Sequence, residues 1–330
     1  MNLVATIFEM RVVLCYPVEQ RHRDQIAAIS PDLEIVDAGQ ERIAELLGTA
    51  DIFCGHAKVP VPWDEVVKAG RLQWIQSSAA GMDHCLVPSV IASDILVTSA
   101  SGLFADQVAE QTLALLLGLL RGLPTFFRQQ REKDFTRRPT GDLHGKTIGI
   151  IGLGGNGRRI AEVLAPFQVR ILATDMFPHN KPPEVESIRN ANELHAVLSQ
   201  VDIAILCVPL NSQTHHMIDA AALAAMKPGT ILINVARGPV VDEAALVDAL
   251  ASGHLAGAGL DVTEVEPLAG TSPLWEMSNV IITPHVGAQS AKRVDDSTNL
   301  FCENLERYLL GKRLRNVVDK QLGFPRPSSD

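Results

Sequence analysis

Positive charge and aromatic side chains are both scarce in this chain. Its 29 lysines and arginines face 38 aspartates and glutamates, a net charge of −9, and aromatic residues make up 5% of the 330. A nucleic-acid partner would need a basic stripe with interleaved aromatics, and the balance argues against one. The basic cluster from Arg128 to Arg138 is interrupted by Glu132 and Asp134 and reads as a solvated helix face. Cysteine is scarce too. Cys15, Cys54, Cys85, Cys207 and Cys302 are odd in number, scattered and without a CxxC pair. That argues against a disulfide framework or a metal site and fits a reducing, cytoplasmic setting. Long apolar runs are missing. "LALLLGLL" (113–120) is too short to span a bilayer, so no membrane association is expected. The opening "MNLVATIFEMRVVLCYP" carries Glu9 and Arg11 and lacks the marks of a signal peptide. A first strand is expected to begin at Met10, with residues 1–9 a short extension. There is no short-period repeat and no low-complexity tract.

What is present is alternation. The length suits two domains rather than one. Over residues 11–105, "RVVLCY", "LEIVDA", "ADIFCGH", "LQWIQSSAAG" and "ILVTSASG" read as strands, with helices near 20–30, 40–48 and 64–69. Residues 105–132 read as one long helix broken near Gly122-Leu123-Pro124, apolar around most of its first half. From 147 onward six apolar runs recur: "TIGIIG", "RILATD", "DIAILCVP", "TILINVA", "GAGLDV" and "NVIITPH". Helical segments at 157–166, 191–199, 219–226 and 242–252 lie between them. Continuous apolar runs joined by helices imply parallel strands buried on both faces. The final segment, 295–319, reads as an amphipathic helix with a tail that packs back on the first domain. The expected fold is α/β, with two Rossmann-like, doubly wound parallel-sheet domains and a cleft between them. One comprises 1–105 plus 290–330; the other comprises 106–289.

The strongest local signal is "GKTIGIIGLGGNGRRIAEVLAPFQVRILATD" (145–175). Gly152, Gly154 and Gly157 form G-x-G-x-x-G between a strand and a helix, and Asp175 ends the next strand, 18 residues past Gly157. That order is the signature of a dinucleotide site. The glycines permit a tight turn, a close backbone approach to the pyrophosphate and close helix packing, and the helix N-terminus faces the phosphates. Asp175 is placed to accept hydrogen bonds from the adenosine ribose. Met176, Phe177 and Pro178 follow it, with no arginine for a 2′-phosphate, so NAD is expected over NADP.

Ligands of open parallel sheets bind outside the carboxyl ends of the strands. After the third strand of the regular half come Cys207, Val208 and Pro209. The fourth is followed by Arg237, the fifth by Asp261 and Glu266, and the sixth by His285. An acid, a base and a cation thus converge on one sheet edge with the cofactor. Imidazole titrates near neutrality and can give or take a proton, and a carboxylate beside it favours the protonated ring. A guanidinium fork suits a planar carboxylate.

"LHGKTIGIIGLGGNG", "MKPGTILINVARGPVVDEAALVDAL", "AGAGLDVTEVEPL" and "SPLWEMSNVIITPHVGAQS" together resemble the D-isomer-specific 2-hydroxyacid dehydrogenase family. The resemblance runs from about Arg11 to Asp319 and is weakest before residue 75. It implies that Arg237 binds the substrate's carboxylate and carbonyl oxygen, that His285 is the acid/base, and that Glu266 holds His285 in place. It implies cofactor contacts at Gly152, Gly154, Gly155, Asn156, Gly157, Asp175, Cys207, Val208, Pro209, Val235, Ala236, Arg237, Asp261, His285 and Gly287, with Asp261 facing the nicotinamide. "SSAAGMDH" (77–84) matches the loop whose backbone N–H groups bind the substrate carboxylate, at Ala80 and Gly81, with Asp83 a loop brace. A small 2-oxo or 2-hydroxy acid is the implied substrate, of the hydroxypyruvate, glyoxylate or phosphoglycerate type, and a homodimer the implied assembly, with the helix at 107–121 its contact. Some members carry a C-terminal regulatory domain, and none is expected after residue 319. A phosphite-type enzyme and a non-catalytic NAD-sensing corepressor are the alternatives within the same fold.

Asn156 replaces the apolar residue usual within the glycine motif, and "TSASGLFADQVAE" lacks the family's Asn and Pro. Gly238 is expected to give the backbone room beside the cofactor, and Asp242 to cap the following helix. His215 and His216 are expected on the surface and Trp275 in hydrophobic packing. His56 is a candidate to line the cleft. His22, His84, His144, His179, His195 and His254 have no recognisable partner in the sequence.

Overall fold

The computed structural model describes residues 10–326, so residues 1–9 and the extension expected there lie outside the described residues. The chain divides into two compact units. One comprises residues up to Leu103 together with those from Ser290, and the other comprises Phe104–Gln289.

In the first unit, β1 (Met10–Cys15), β2 (Leu33–Asp37), β3 (Ile52–Gly55), β4 (Trp74–Ser77) and β5 (Leu96–Thr98) form a parallel sheet in the order β2-β1-β3-β4-β5. Helices α1 (Gln20–Ala27), α2 (Ile43–Leu46), α3 (Trp63–Ala69) and α4 (Pro88–Ala92) connect the strands. Alternate strand residues feed opposite cores. Val13, Phe53 and Ile75 pack on one face, and Val12, Leu14, Ile52 and Trp74 on the other.

The second unit begins with α5 (Ala105–Leu120) and α6 (Leu123–Glu132), separated by Gly122 at φ 68. Its sheet contains β6 (Thr147–Ile151), β7 (Arg170–Asp175), β8 (Ser187–Asn190), β9 (Ile203–Leu206), β10 (Thr230–Asn234), β11 (Leu255–Leu260) and β12 (Val280–Ile282). The order is β12-β11-β10-β9-β6-β7-β8, every pair parallel. The strand order reverses at β6, the topological switch point where such sheets bind ligands. Helices α7 (Gly155–Leu164), α8 (Leu194–Leu198), α9 (Ala220–Ala225) and α10 (Glu243–Ala251) join strands, and Asp242 caps α10 by accepting from the Ala245 N–H. Leu232 packs in one core while its neighbours Ile231 and Ile233 pack in another, so this strand is buried on both faces.

Two expectations change. β8 was not foreseen: "SIRN" is a half-exposed edge strand with one aliphatic residue. The last helix, α11 (Arg293–Leu309), lies with its tail where expected, and Val318–Asp319 pairs with Phe324–Pro325 beyond it. Its Phe301 and Leu305 join the first unit's core with Trp74. Finally, the apolar face of α5 is largely used within its own unit. Leu115 and Leu116 are buried, and Cβ atoms added at Gly118 and Gly259 would meet Ile281 Cδ1 and Leu115 Cβ at 2.9 Å.

Candidate active site

Each loop at the carboxyl edge of the seven-stranded sheet carries something a ligand can use. After β6, Gly152 takes φ +95, and a Cβ there would crowd Cys207 and Val208 at 2.9 Å. A Cβ on Gly157 would stand 2.1 Å from the Gly152 carbonyl oxygen, so only glycine lets α7 start so near the strand. Gly154 differs: nothing lies within 4 Å of a Cβ placed there. That open side faces outward beside the first turn of α7, whose N–H groups have no intrahelical acceptors. The cradle fits a pyrophosphate. Asp175, ending β7, accepts from the N–H groups of Leu153 (2.7 Å) and Phe177 (2.8 Å), which fixes its carboxylate beside the glycine turn. Gly155 is exposed and Asn156 half-buried at the start of α7. After β9, Cys207, Val208 and Pro209 are half-buried, and burial pushes the Cys207 thiol up to about 12, so it stays protonated.

Arg158 was passed over in the sequence. Its guanidinium donates to the Asn180 carbonyl at 2.7 Å and reaches that of His179, so a half-buried cation sits on the loop that follows Asp175. Only the fold brings those residues together.

After β10 come Val235 and Ala236, then Arg237, half-buried, whose Nη1 donates to the Ala236 carbonyl at 2.8 Å. After β11 the chain reaches Glu266, and after β12 His285. His285 Nδ1 and Glu266 Oε2 are 2.8 Å apart, and Glu266 Oε1 accepts from the Thr263 N–H at 3.3 Å. Burial works to raise the pKa of Glu266. The hydrogen bond with His285, that ring's charge, the Thr263 N–H and the Arg237 charge outweigh it and hold the carboxyl below its usual range. Arg237, Glu266 and His285 are thus electrostatic neighbours, and the His285 side chain, 44% exposed, keeps its other ring nitrogen available. Such a group can bind a carboxylate and pass a proton.

Asp261, expected to face the nicotinamide, is 3% exposed. Its Oδ1 accepts from Thr283 Oγ1 (2.6 Å) and Val286 N (3.0 Å), and its Oδ2 from Gly287 N (2.7 Å). Its carbonyl accepts from His285 N at 2.8 Å. His285 itself has φ +53, in the left-handed region that residues with a Cβ rarely occupy. A Cβ on Gly287 would strike Asp261 Oδ2 at 2.7 Å, so Gly287 is required by this cradle. Gly238 is hemmed in as tightly. A Cβ there would lie 1.7 Å from the Thr263 carbonyl oxygen, so only glycine lets the two loops pass so closely.

Other histidines gain partners the sequence hid. His22, 1% exposed, bridges the Glu19 N–H and Asp295 across α1 and α11. His216 is not a bystander: its Nε2 lies 2.7 Å from Glu264 Oε1. His144 meets Gln168, and His254 meets the Leu223 carbonyl. Trp275 is 51% exposed, with Nε1 donating to the Ala269 carbonyl, and is not packed inside.

In the first unit, the loop after β4 holds Ala80, exposed, and Gly81, half-buried. Ser77 Oγ accepts from the Ala79 N–H at 3.0 Å, and the Ser78 N–H donates to the Gly55 carbonyl. His84 stacks on His56 at 4.0 Å and lies 3.3 Å from Ser77 Oγ. Among the described residues no group of three or more His, Cys, Asp or Glu could hold a metal ion, and no helix is long and apolar enough to cross a membrane.

Comparison with known proteins agrees with this fold. The family model for the D-isomer specific 2-hydroxyacid dehydrogenase NAD binding domain matches residues 113–287. Glyoxylate reductase of Thermofilum pendens is 36% identical over 268 residues, 78% of each chain. D-3-phosphoglycerate dehydrogenase of Mycobacterium tuberculosis is 32% identical over 300 residues, 89% of this chain. The chain spans about half the length of that relative, 56%. A D-isomer specific 2-hydroxyacid dehydrogenase from Xanthobacter autotrophicus, solved with NADPH and MES, superposes with a TM-score of 0.79 at 29% identity, covering 95% of this chain and 100% of its own. The chain belongs to the D-isomer specific 2-hydroxyacid dehydrogenase family.

Proposed function

We propose that the protein interconverts a small 2-oxo acid and its D-2-hydroxy acid, of the hydroxypyruvate, glyoxylate or phosphoglycerate type, with NAD as cofactor. The observation that carries this reading is the 2.8 Å hydrogen bond between His285 Nδ1 and Glu266, with the Arg237 charge beside it. When bound, the nicotinamide cofactor supplies the hydride that the carbonyl carbon receives. Arg237 grips the substrate's carboxylate and draws on its carbonyl oxygen. His285 gives a proton from Nε2 to that oxygen, and in the reverse direction takes it back. Glu266 stays ionised and keeps Nδ1–H engaged, so that Nε2 is the atom presented. The N–H groups of Ala80 and Gly81 bind the substrate carboxylate.

The glycine turn and the first turn of α7 hold the pyrophosphate. Asp175 uses its remaining lone pairs for the adenosine ribose hydroxyls and repels a 2′-phosphate, which favours NAD over NADP. Arg158 lies near enough to this end of the site to make the preference worth measuring. We also infer a homodimer. The test is oxidation of NADH, and separately NADPH, with glyoxylate, hydroxypyruvate, phosphohydroxypyruvate, pyruvate and branched-chain 2-oxo acids. Turnover of at least one acid, with a lower KM for NADH, is expected; no turnover on any would sink the reading.

A further inference from the structure

Glu264 stands two residues before Glu266 and takes no part in the chemistry proposed above. Its carboxylate is nonetheless anchored twice. Oε1 lies 2.7 Å from His216 Nε2, and Oε2 accepts from the backbone N–H of Glu243, first residue of α10, at 3.0 Å. The second bond is returned, because the Glu243 carboxylate accepts from the Glu264 N–H at 3.1 Å. His216 is fastened in turn: its N–H donates to the Pro239 carbonyl at 2.8 Å, and two residues on Ile218 bridges Val241. His216 holds φ +50, so the backbone there is set against its ordinary preference.

These contacts tie three loops into one junction: the loop after β9 with His216, the loop after β10 with Arg237, and the loop after β11 with Glu266. The last two touch closely, as the missing Cβ of Gly238 against Thr263 requires. The N-terminus of α10 would attract the Glu264 carboxylate by itself. His216 adds an anchor from the opposite side, and two anchors on different loops fix a position that one leaves free to pivot.

We propose that His216 and Glu264 are positioning residues, which set the spacing between the Arg237 guanidinium and the Glu266–His285 pair. The role in turnover rests on the function proposed above, but the placement of the pair does not. A displacement of about 1 Å in such a group can cost up to ~100-fold in rate.

The test compares His216→Ala and Glu264→Ala with the parent by thermal melting, NADH affinity from fluorescence, the imidazole 15N shifts of His285, and kcat and KM for a 2-oxo acid. Expected are folded variants with NADH affinity within about twofold of the parent, since the glycine turn is untouched. The His285 Nδ1 shift should move away from that of a carboxylate-bonded N–H, and kcat should fall ~10-fold with a smaller change in KM. His216→Gln, which can still donate to Glu264, should recover most of both. His216→Phe keeps a ring and loses the donor, and carries the same readouts if His216→Ala fails to fold. A lowered melting temperature with unmoved His285 shifts and unchanged kcat would overturn the proposal and leave the pair merely structural. Should the parent turn over none of the acids, the functional reading fails by itself. The His285 shifts then decide this proposal alone: moved, it stands; unmoved, it falls.

Discussion

At the carboxyl edge of the seven-stranded sheet the functional candidates are ionised side chains, and each is aimed by a directional partner: Asp175 by two backbone N–H groups, Glu266 by His285 and Thr263, Glu264 by His216 and Glu243. At the same edge of the five-stranded sheet the candidates are backbone N–H groups and a stacked pair of imidazoles, braced by the hydroxyl of Ser77. Two sheets of like construction thus carry different chemistry. A charge can discriminate protonation states and hold a substrate by several kcal/mol, but it must be oriented, and the orienting groups multiply around it. A backbone donor is oriented by the strand it leaves and needs little else. Changes at the first edge should therefore alter the chemical step, and changes at the second should alter substrate affinity.

The largest effect is expected from His285→Ala. Reduction of the 2-oxo acid should fall by ~10²–10⁴-fold, the usual range for a lost proton donor, while NADH still quenches or enhances fluorescence as in the parent. Unchanged turnover would erase the contrast between the edges. Arg237→Lys comes next. It keeps the charge but loses the planar fork, and at ~1.5–3 kcal/mol for a charge-assisted bond the KM for the 2-oxo acid should rise by ~10–100-fold.

Glu266→Gln tests the same edge through pH. The Glu266 carboxyl is held below its usual range, so its ionised form is present at neutral pH and is lost only as pH falls through that lowered value. The variant should be ~10-fold slower than the parent at neutral pH, and the two rates should converge toward acid. A constant ratio across the profile would remove the carboxylate from the proton's path. The smallest effect belongs to the other sheet. Ser77→Ala takes the acceptor from the buried Ala79 N–H, at a cost of about 1–2 kcal/mol, and should raise the substrate KM severalfold with little change in kcat. A fall in kcat equal to that of Glu266→Gln would dissolve the distinction.

The chain told much of this before it was folded, and unevenly. The aliphatic strands of the second unit announce themselves because both their faces are buried, and the glycine turn because φ +95 at Gly152 and a 2.1 Å approach at Gly157 leave no other residue type. β8 gave no such sign: an edge strand needs hydrogen bonds on one side only and can be made of Ser, Ile, Arg and Asn. Partners far apart in sequence were also hidden. His216 and Glu264 are 48 positions apart, His22 and Asp295 273, and no local pattern pairs them. The internal partners of Gly238 and Asp261 were hidden too: Gly238 makes room for the passage of Thr263, and Asp261 serves three donors.

The backbone of His285 carries one more consequence. At φ +53 it occupies a conformation that costs the chain of the order of 1 kcal/mol or more, and it is retained there by bonds to the main chain and side chain of one acid, Asp261. The ring's direction is therefore a spring held by a latch. If the latch slips, the histidine relaxes toward an ordinary conformation and its ring turns away, although every strand of the sheet remains in place. Under the role proposed for His285, warming should accordingly cost turnover before the sheet melts, as rates and melting followed together would show.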